Sequence, residues 1–213
     1  LPAGAILKDA RELVPDEVYQ KWFGPGVEHP RDVRRAKVHQ NFSDYFRYKL
    51  LHRYGGWWCD TDVVALRPFE FDTDYVFAWG KWPCRWMTEE LKKRLGQDRA
   101  LNNGVLRCPK GSPLLEKLIA IAEPDAVQGR FPNWAQWNHP LSEIVCDMGL
   151  QHCVAKNPIF EPYGEDDWRD PFERDVSPPD WAYSLHLYNS QGVQDGNDGS
   201  LVAKLKVKYT ILM

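Results

Sequence analysis

The chain has 213 residues, of which 43% are hydrophobic, and this is enough to form a buried core of ordinary size. Its formal net charge of −3 argues against a nucleic acid or an anionic membrane surface as the main partner. The sequence has no run of about eighteen apolar residues that would predict a membrane span. Five cysteines, an odd number without a Cys-x-x-Cys pair, indicate free thiols in a reducing compartment.

The N-terminal part of the sequence predicts a short strand over 5–7, a helix over 15–22 and a longer helix that ends at Gly55 and Gly56. Apolar residues between positions 42 and 54 recur at a spacing near 3.6, which is typical of a helix with a buried face. A glycine pair favours a helix end because one of the two can adopt a positive φ without a steric clash. A buried strand is then predicted over 57–59, and residues 63–66 are predicted to continue it.

Two carboxylates, Asp60 and Asp62, directly follow this predicted strand. In an extended chain, residues two apart face the same side, so both carboxylates can approach one cation. Carboxylates are hard oxygen ligands that suit Mg²⁺ or Mn²⁺. A second Asp-x-Asp, at Asp72 and Asp74, is interpreted as a solvated turn because no helix and apolar strand precede it.

The predicted helix before the glycine pair carries Asp44 and Arg47, which are three residues apart and therefore share a face. Arginine suits phosphate because its planar guanidinium can bind two oxygens at once. We therefore expect one cleft to combine a metal site, a guanidinium for phosphate and a carboxylate that accepts hydrogen bonds.

Beyond position 68, the pattern predicts a strand over 75–79, a tryptophan-rich loop over 80–86, and helices over 113–122 and 141–148. The loop is interpreted either as a platform for a sugar ring, because flat indole faces suit sugar rings, or as a packed lid. His186 lies between two leucines and is either a core residue or a ligand. The C-terminal segment 202–213 is compatible with a strand or a helix.

Taken together, the residues around the acidic pair resemble a known family. They form the pattern Ser43-Asp44-x-x-Arg47-Tyr48, then Gly55-Gly56-x-x-x-Asp60-x-Asp62, then Leu66-x-Pro68. This order is similar to the sugar-transferase family with the DXD motif, which includes capsular-polysaccharide and yeast mannosyl transferases. That family is related to the α-1,4-galactosyltransferases and the large glucosylating toxins. The resemblance is strongest over about 40–70 and continues in order through the rest of the chain.

The resemblance implies an α/β fold of the GT-A type, with a mixed sheet flanked by helices in a single domain over 1–213. Relatives usually place a β-α unit ahead of the segment that begins near position 6, so we expect an N-terminal truncation. The implied activity is a metal-dependent, retaining hexosyl transfer from a nucleotide-diphosphate sugar, with a UDP-sugar expected, to a glycan or other hydroxyl acceptor. A role in polysaccharide biosynthesis, in the cytoplasm or at the inner membrane face, would fit this activity.

For the metal and the diphosphate, the resemblance implies a role for three residues. Asp62 is the expected main metal ligand, and Asp60 is expected to contact both the metal and the ribose. Arg47 is expected to hold diphosphate or sugar oxygens.

For the sugar, the resemblance implies that Asp44 accepts hydrogen bonds from hydroxyl groups and that Asn102 or Asn103 binds them. A turn formed by Asn102-Asn103-Gly104 is the alternative. His186 is the expected third metal ligand, with Asn189 as second choice, and an imidazole ligand favours Mn²⁺ over Mg²⁺.

Two other classes of protein compete with this interpretation. The segment around Asp60 is superficially similar to the nucleophile motif of haloacid-dehalogenase-like phosphatases, with Asp166 and Asp167 as their distant acidic pair. A non-catalytic carbohydrate-binding domain is the other, since ten tryptophans favour contact with sugars. The first leaves Asp44 and Arg47 without a role, and the second would bind a glycan without metal-dependent affinity for a donor.

Overall fold

The computed structural model describes residues 4–27, 35–130, 134–164, 166–188 and 196–209, and these form an α/β fold. The chain divides into two compact units. Unit 1 comprises Leu1–Trp57 and Arg107–Ile144, and unit 2 comprises Trp58–Leu106 and Val145–Met213. The single domain expected over 1–213 stays a prediction.

The helices and strands of the described residues follow one another in this order: α1 (Asp16–Phe23), α2 (Arg35–Tyr54), β1 (Gly56–Cys59), β2 (Val63–Ala65), β3 (Val76–Pro83), α3 (Glu89–Leu95), β4 (Arg99–Cys108), α4 (Pro113–Ala126), α5 (Trp134–Asp147), α6 (Asp170–Glu173), β5 (Ser184–His186) and α7 (Leu201–Tyr209). In the part of the chain that the structure describes, no helix has the length and apolar character needed to cross a membrane.

Unit 1 is built on the packing of α2 against α4. Its core consists of apolar and aromatic side chains from these two helices, from α1 and from Val14: Val14, Val18, Trp22, Val38, Phe42, Tyr45, Ala122 and Ala126. The Trp22 indole donates a 2.7 Å hydrogen bond to the carbonyl of Ala126, so the buried ring leaves no unpaired N–H. The long helix predicted before the glycine pair is therefore confirmed, as is the helix over 15–22.

The end of α2 depends on Gly55. Its φ is +69°, and a Cβ at this position would lie 2.6 Å from the backbone nitrogen of Lys110. Only glycine fits both the left-handed backbone and this close approach. The predicted helix stop is confirmed, and it directs the chain straight into β1.

The strands form two small sheets. One has three strands in the order β1-β4-β3, and the other pairs β2 with β5 in antiparallel fashion. In unit 2, side chains from β5, from the residue that follows it, and from α6 and α7 form a core of Phe172, Leu185, Leu187, Leu201, Val202 and Leu205. The α/β class is confirmed.

Several local predictions are wrong. Residues 5–7 form no strand, and Ile6 and Leu7 are about four-fifths exposed, because no described strand pairs with them. Residues 63–66 do not continue β1, since β2 belongs to the other sheet. The tryptophan-rich segment begins as strand, because β3 extends to Pro83. The choice left open for the C-terminal segment, strand or helix, is decided for a helix, α7, as far as the structure describes it.

Candidate active site

Asp60 and Asp62 lie on the turn that links β1 to β2. The turn is closed by a 3.1 Å hydrogen bond from the backbone N–H of Val63 to the carbonyl of Asp60. It is attached to β4 by a 2.8 Å bond from the Asp60 N–H to the Gly104 carbonyl. The extended conformation expected for the acidic pair is therefore wrong. A tight turn, rather than strand alternation, brings the two carboxylates close together.

The pairing of β2 with β5 places His186 beside this turn. His186 is opposite Val63 in the antiparallel register, and the backbone N–H of Leu187 donates a 2.8 Å bond to the Asp62 carbonyl. As a result, His186 Nε2 lies 3.1 Å from Asp62 Oδ1. One oxygen each of Asp60 and Asp62 and one ring nitrogen of His186 lie within 4.8 Å of one another. The structure thus brings together the three residues predicted to bind the metal.

The three side chains could hold a divalent cation. An octahedral ion with ligands at 2.0–2.1 Å places neighbouring ligand atoms about 3.0 Å apart and opposite ones about 4.2 Å apart. The 3.1 Å between Asp62 and His186 corresponds to one edge of such an octahedron. Two carboxylates and one imidazole suit Mn²⁺ better than Mg²⁺. Within the described ranges, no other group of His, Cys, Asp or Glu side chains has this arrangement.

The His186 ring is held between two carboxylates. Its Nδ1 lies 3.0 Å from Glu161 Oε1, on the side opposite Asp62. Burial lowers the pKa of His186, but the hydrogen bonds to Asp62 and Glu161 outweigh burial and raise this pKa to about 10. At neutral pH, and without a cation, the ring is therefore an imidazolium that offsets part of the negative charge around it.

Glu161 was not identified from the sequence, although it is among the most buried charged residues of unit 2. Besides His186, it accepts hydrogen bonds from the side chain of Asn102 and from the hydroxyl of Tyr188. The available signal was weak: a single acid in the otherwise apolar run 158–162. Such a residue needs a buried partner, but the sequence does not say which one.

Trp58 and Gly104 also shape the site, and neither was identified from the sequence. The Trp58 indole donates a 2.7 Å hydrogen bond to Asp60 Oδ1 and so fixes that carboxylate. A Cβ at Gly104 would lie 3.1 Å from Asp60 Oδ2 and 3.0 Å from Asn102 Oδ1. The absence of a side chain at position 104 therefore leaves room for both groups.

Asn102 and Asn103 lie within β4, so the turn proposed for Asn102-Asn103-Gly104 is wrong. Asn102 Oδ1 accepts a 2.6 Å bond from the Gly104 N–H, and its amide donates to Glu161. Asn103 is buried. Contact of either residue with a sugar stays a prediction.

Asp44 and Arg47 belong to unit 1, where they form a buried ion pair on α2. Arg47 Nη2 lies 3.1 Å from Asp44 Oδ1, and the guanidinium also reaches Ser43 Oγ at 3.3 Å. The prediction that the two share a helix face is confirmed. Their predicted contacts with a donor remain predictions.

The remaining sequence candidates lie elsewhere. Asp72 and Asp74 are exposed on an irregular segment, in agreement with their interpretation as a solvated turn. Asp166 and Asp167 are exposed, and Asp167 caps the backbone N–H of Gly164. Asn189 lies outside the described residues.

Comparison with known families gives a match in the N-terminal part of the chain. Residues 6–81 match the family model described as "Glycosyltransferase sugar-binding region containing DXD motif". The match covers Asp44, Arg47, Asp60 and Asp62, so the resemblance based on these residues is confirmed. Searches of curated proteins and of solved structures give no significant match.

Proposed function

From the premise that residues 6–81 belong to the glycosyltransferase family with the DXD motif, we propose that this protein is a metal-dependent hexosyltransferase of the GT-A type. The donor is a nucleotide-diphosphate sugar, with a UDP-sugar as first choice, and the acceptor is a glycan hydroxyl. The observation that supports this most directly is the cluster of Asp60, Asp62 and His186 at the DXD turn. This cluster combines the two carboxylates of the family's motif with a third candidate ligand, His186, which is distant in the sequence.

Asp60, Asp62 and His186 would hold Mn²⁺, or Mg²⁺ with lower preference. When bound, the cation would act as a Lewis acid that neutralises charge on the departing diphosphate. The chain's own part is to keep the ligand atoms in place before the donor arrives. Trp58 does this for Asp60, and the backbone bond from Leu187 does it for the Asp62 segment.

The family resemblance assigns the donor contacts. Arg47 holds diphosphate or sugar oxygens through its guanidinium, and Asp44 accepts hydrogen bonds from sugar hydroxyls. Asn102 and Asn103 contribute amide groups on the sugar side. Retention of anomeric configuration also comes from the resemblance. No carboxylate is assigned as a nucleophile, which favours attack and departure on the same face of the sugar.

The competing classes have less support. A haloacid-dehalogenase-like phosphatase needs a distant acidic pair beside its nucleophile. Within the described residues, the metal-holding cluster around Asp60 includes neither Asp166 nor Asp167. A carbohydrate-binding domain without catalysis gives no role to a carboxylate pair completed by a histidine. A cytoplasmic location and a role in polysaccharide biosynthesis are part of the proposal.

The test measures hydrolysis or transfer of nucleotide sugars with Mn²⁺, starting with UDP-hexoses. We expect turnover to stop on chelation, to return with added Mn²⁺, and to fall roughly 100-fold or more in Asp62→Asn. Asp74→Asn is the matched control, because it makes the same change in the exposed second Asp-x-Asp. Turnover that survives chelation, or an equal loss in both variants, contradicts the proposal.

A further inference from the structure

We propose that Glu161 and Tyr188 form a positioning pair that orients the His186 ring so that Nε2 points to the cation held with Asp60 and Asp62. This inference rests on the proposed function, because it concerns the same metal site. Neither residue would touch the cation or the donor. Both would act through the imidazole.

The contacts of Glu161 give it this role. The residue is only 5% exposed, and its carboxylate accepts bonds from His186 Nδ1 and from the Tyr188 hydroxyl, each at 3.0 Å. A buried carboxylate is tolerated only where donors surround it, so its orientation is tightly defined. Because Nδ1 donates its hydrogen to Glu161, Nε2 is the nitrogen that is available as a ligand.

Tyr188 restrains the other degree of freedom of the imidazole, its tilt. The two rings are stacked, with centroids 4.3 Å apart and planes at 16°. Tyr188 has a φ of +45°, the sole positive φ of a non-glycine residue in the described chain. Such a conformation is costly for a bulky side chain and persists where surrounding contacts demand it. Here it places the tyrosine ring flat against the imidazole and its hydroxyl on Glu161.

Glu161 also connects His186 to the DXD turn. Asn102 donates to Glu161 and accepts from the N–H of Gly104, and the carbonyl of Gly104 accepts the N–H of Asp60. A continuous series of hydrogen bonds therefore runs from Glu161 to Asp60 through β4. Glu161 is thus linked by hydrogen bonds to two of the proposed ligands, His186 directly and Asp60 through β4. A residue that served only to fill space in the core would not need these hydrogen bonds.

The experiment follows Mn²⁺ binding to the full chain by electron paramagnetic resonance. Continuous-wave spectra of free Mn²⁺ give the dissociation constant, and pulsed spectra detect the ¹⁴N coupling of a coordinated imidazole. The variants are Glu161→Ala, Glu161→Gln and Tyr188→Phe. Glu70→Ala is the matched control, because Glu70 is an exposed glutamate of unit 2. His186→Ala defines the spectrum without ¹⁴N coupling.

We expect Glu161→Ala to weaken Mn²⁺ binding by about 10- to 100-fold and to reduce the ¹⁴N coupling, as for other residues that orient metal ligands. Glu161→Gln keeps an oxygen that can accept from Nδ1, so it should retain the coupling and lose about tenfold or less in affinity. Tyr188→Phe removes the hydroxyl that donates to Glu161, and we expect it to lose about tenfold or less in Mn²⁺ affinity, as in Glu161→Gln. Glu70→Ala should bind Mn²⁺ as the wild type does.

Wild-type affinity and coupling in Glu161→Ala would overturn the positioning role and leave the proposed function standing. A wild-type protein that binds no Mn²⁺ would overturn both. Circular dichroism reports whether each variant folds. If Glu161→Ala fails to fold, the test rests on Glu161→Gln and Tyr188→Phe. Wild-type Mn²⁺ affinity in both of these variants would overturn the positioning role.

Discussion

The Nε2 atom of His186 lies 3.1 Å from Oδ1 of Asp62, and this distance is set by the antiparallel pairing of the two short strands β2 and β5. The backbone bond from Leu187 to Asp62 fixes the same register. Main-chain hydrogen bonds therefore preorganise the pair. A cation would bind beside His186 Nε2 and Asp62 Oδ1, in place of the hydrogen bond between them. Preorganised ligands lose little freedom on binding, which favours affinity.

Mn²⁺ should raise the stability of the wild-type protein. At a free concentration one hundred times the dissociation constant, the gain in free energy of unfolding is about 2.7 kcal/mol. Thermal unfolding with and without Mn²⁺ measures it. In Asp62→Asn the shift should largely vanish, because a neutral amide is a poorer ligand, whereas Asp74→Asn should keep it. An equal shift in all three proteins would show that the cation binds elsewhere.

Gly104→Ala should damage the site by overpacking. The new methyl group would lie 3.1 Å from Asp60 Oδ2 and 3.0 Å from Asn102 Oδ1, so both groups must shift. We expect about 1–3 kcal/mol of lost stability together with weaker Mn²⁺ binding, measured by urea unfolding and metal titration. Gly164→Ala is the control, because its Cβ would meet the nearest atom at 3.7 Å. Unchanged metal affinity in Gly104→Ala would contradict the tight fit.

Arg47→Lys should separate donor binding from metal binding. Lysine keeps the charge but loses the two-oxygen geometry of the guanidinium. We expect KM for the nucleotide sugar to rise about tenfold, with Mn²⁺ affinity in the absence of nucleotide unchanged. Arg53→Lys makes the same exchange on the exposed side of α2 and should leave both quantities near wild type. A loss of Mn²⁺ affinity in Arg47→Lys would contradict this division of roles.

Glu123 should stabilise unit 1 at neutral pH, and this stabilisation should be lost in acid. Burial raises the pKa of Glu123, but hydrogen bonds from Lys49 and Tyr45, at 3.0 and 2.9 Å, outweigh burial and lower it. The pKa of Glu123 in the folded state is below the unfolded value of about 4.3. The stabilisation from its ionised carboxylate is therefore fully present above about pH 4.3. It is lost as pH falls through the folded pKa.

Urea unfolding of the wild type and Glu123→Gln at pH 7 and pH 3 tests this. At pH 7 the wild type should be more stable than Glu123→Gln, by less than about 1 kcal/mol because the ion pair is well solvated. The difference should shrink at pH 3. A difference that is independent of pH would mean that the carboxylate charge is not involved.

Local sequence signals predicted some parts of this structure well. The period of α2 and the glycine pair after it depend on neighbouring residues alone, so the helix, its end and the strand β1 were predictable. Asp60 and Asp62 were recognisable because that context precedes them. Their true conformation was not, since the turn is held by Gly104, a residue of another strand.

The rest of the site depends on contacts between distant segments. His186 was named only as a candidate, because the register of β2 with β5 decides whether it reaches Asp62. Glu161 gave only a weak signal, a single acid in an apolar run, since its role comes from three partners that the chain brings together only on folding. The strand expected over 5–7 failed for a related reason: strand propensity yields a strand only where a partner edge is available.

The pairing of β2 with β5 has a consequence for biosynthesis. Val63 aligns with His186, so the candidate ligand Asp62 depends on a candidate ligand that is synthesised much later. On the ribosome, the nascent protein cannot assemble the cluster until β5 has emerged, and such long-range closure is intrinsically slow. Released fragments that stop before β5 would carry the DXD turn without its histidine. In the proposed function, the protein can therefore bind a cation at this site only after β5 has been synthesised.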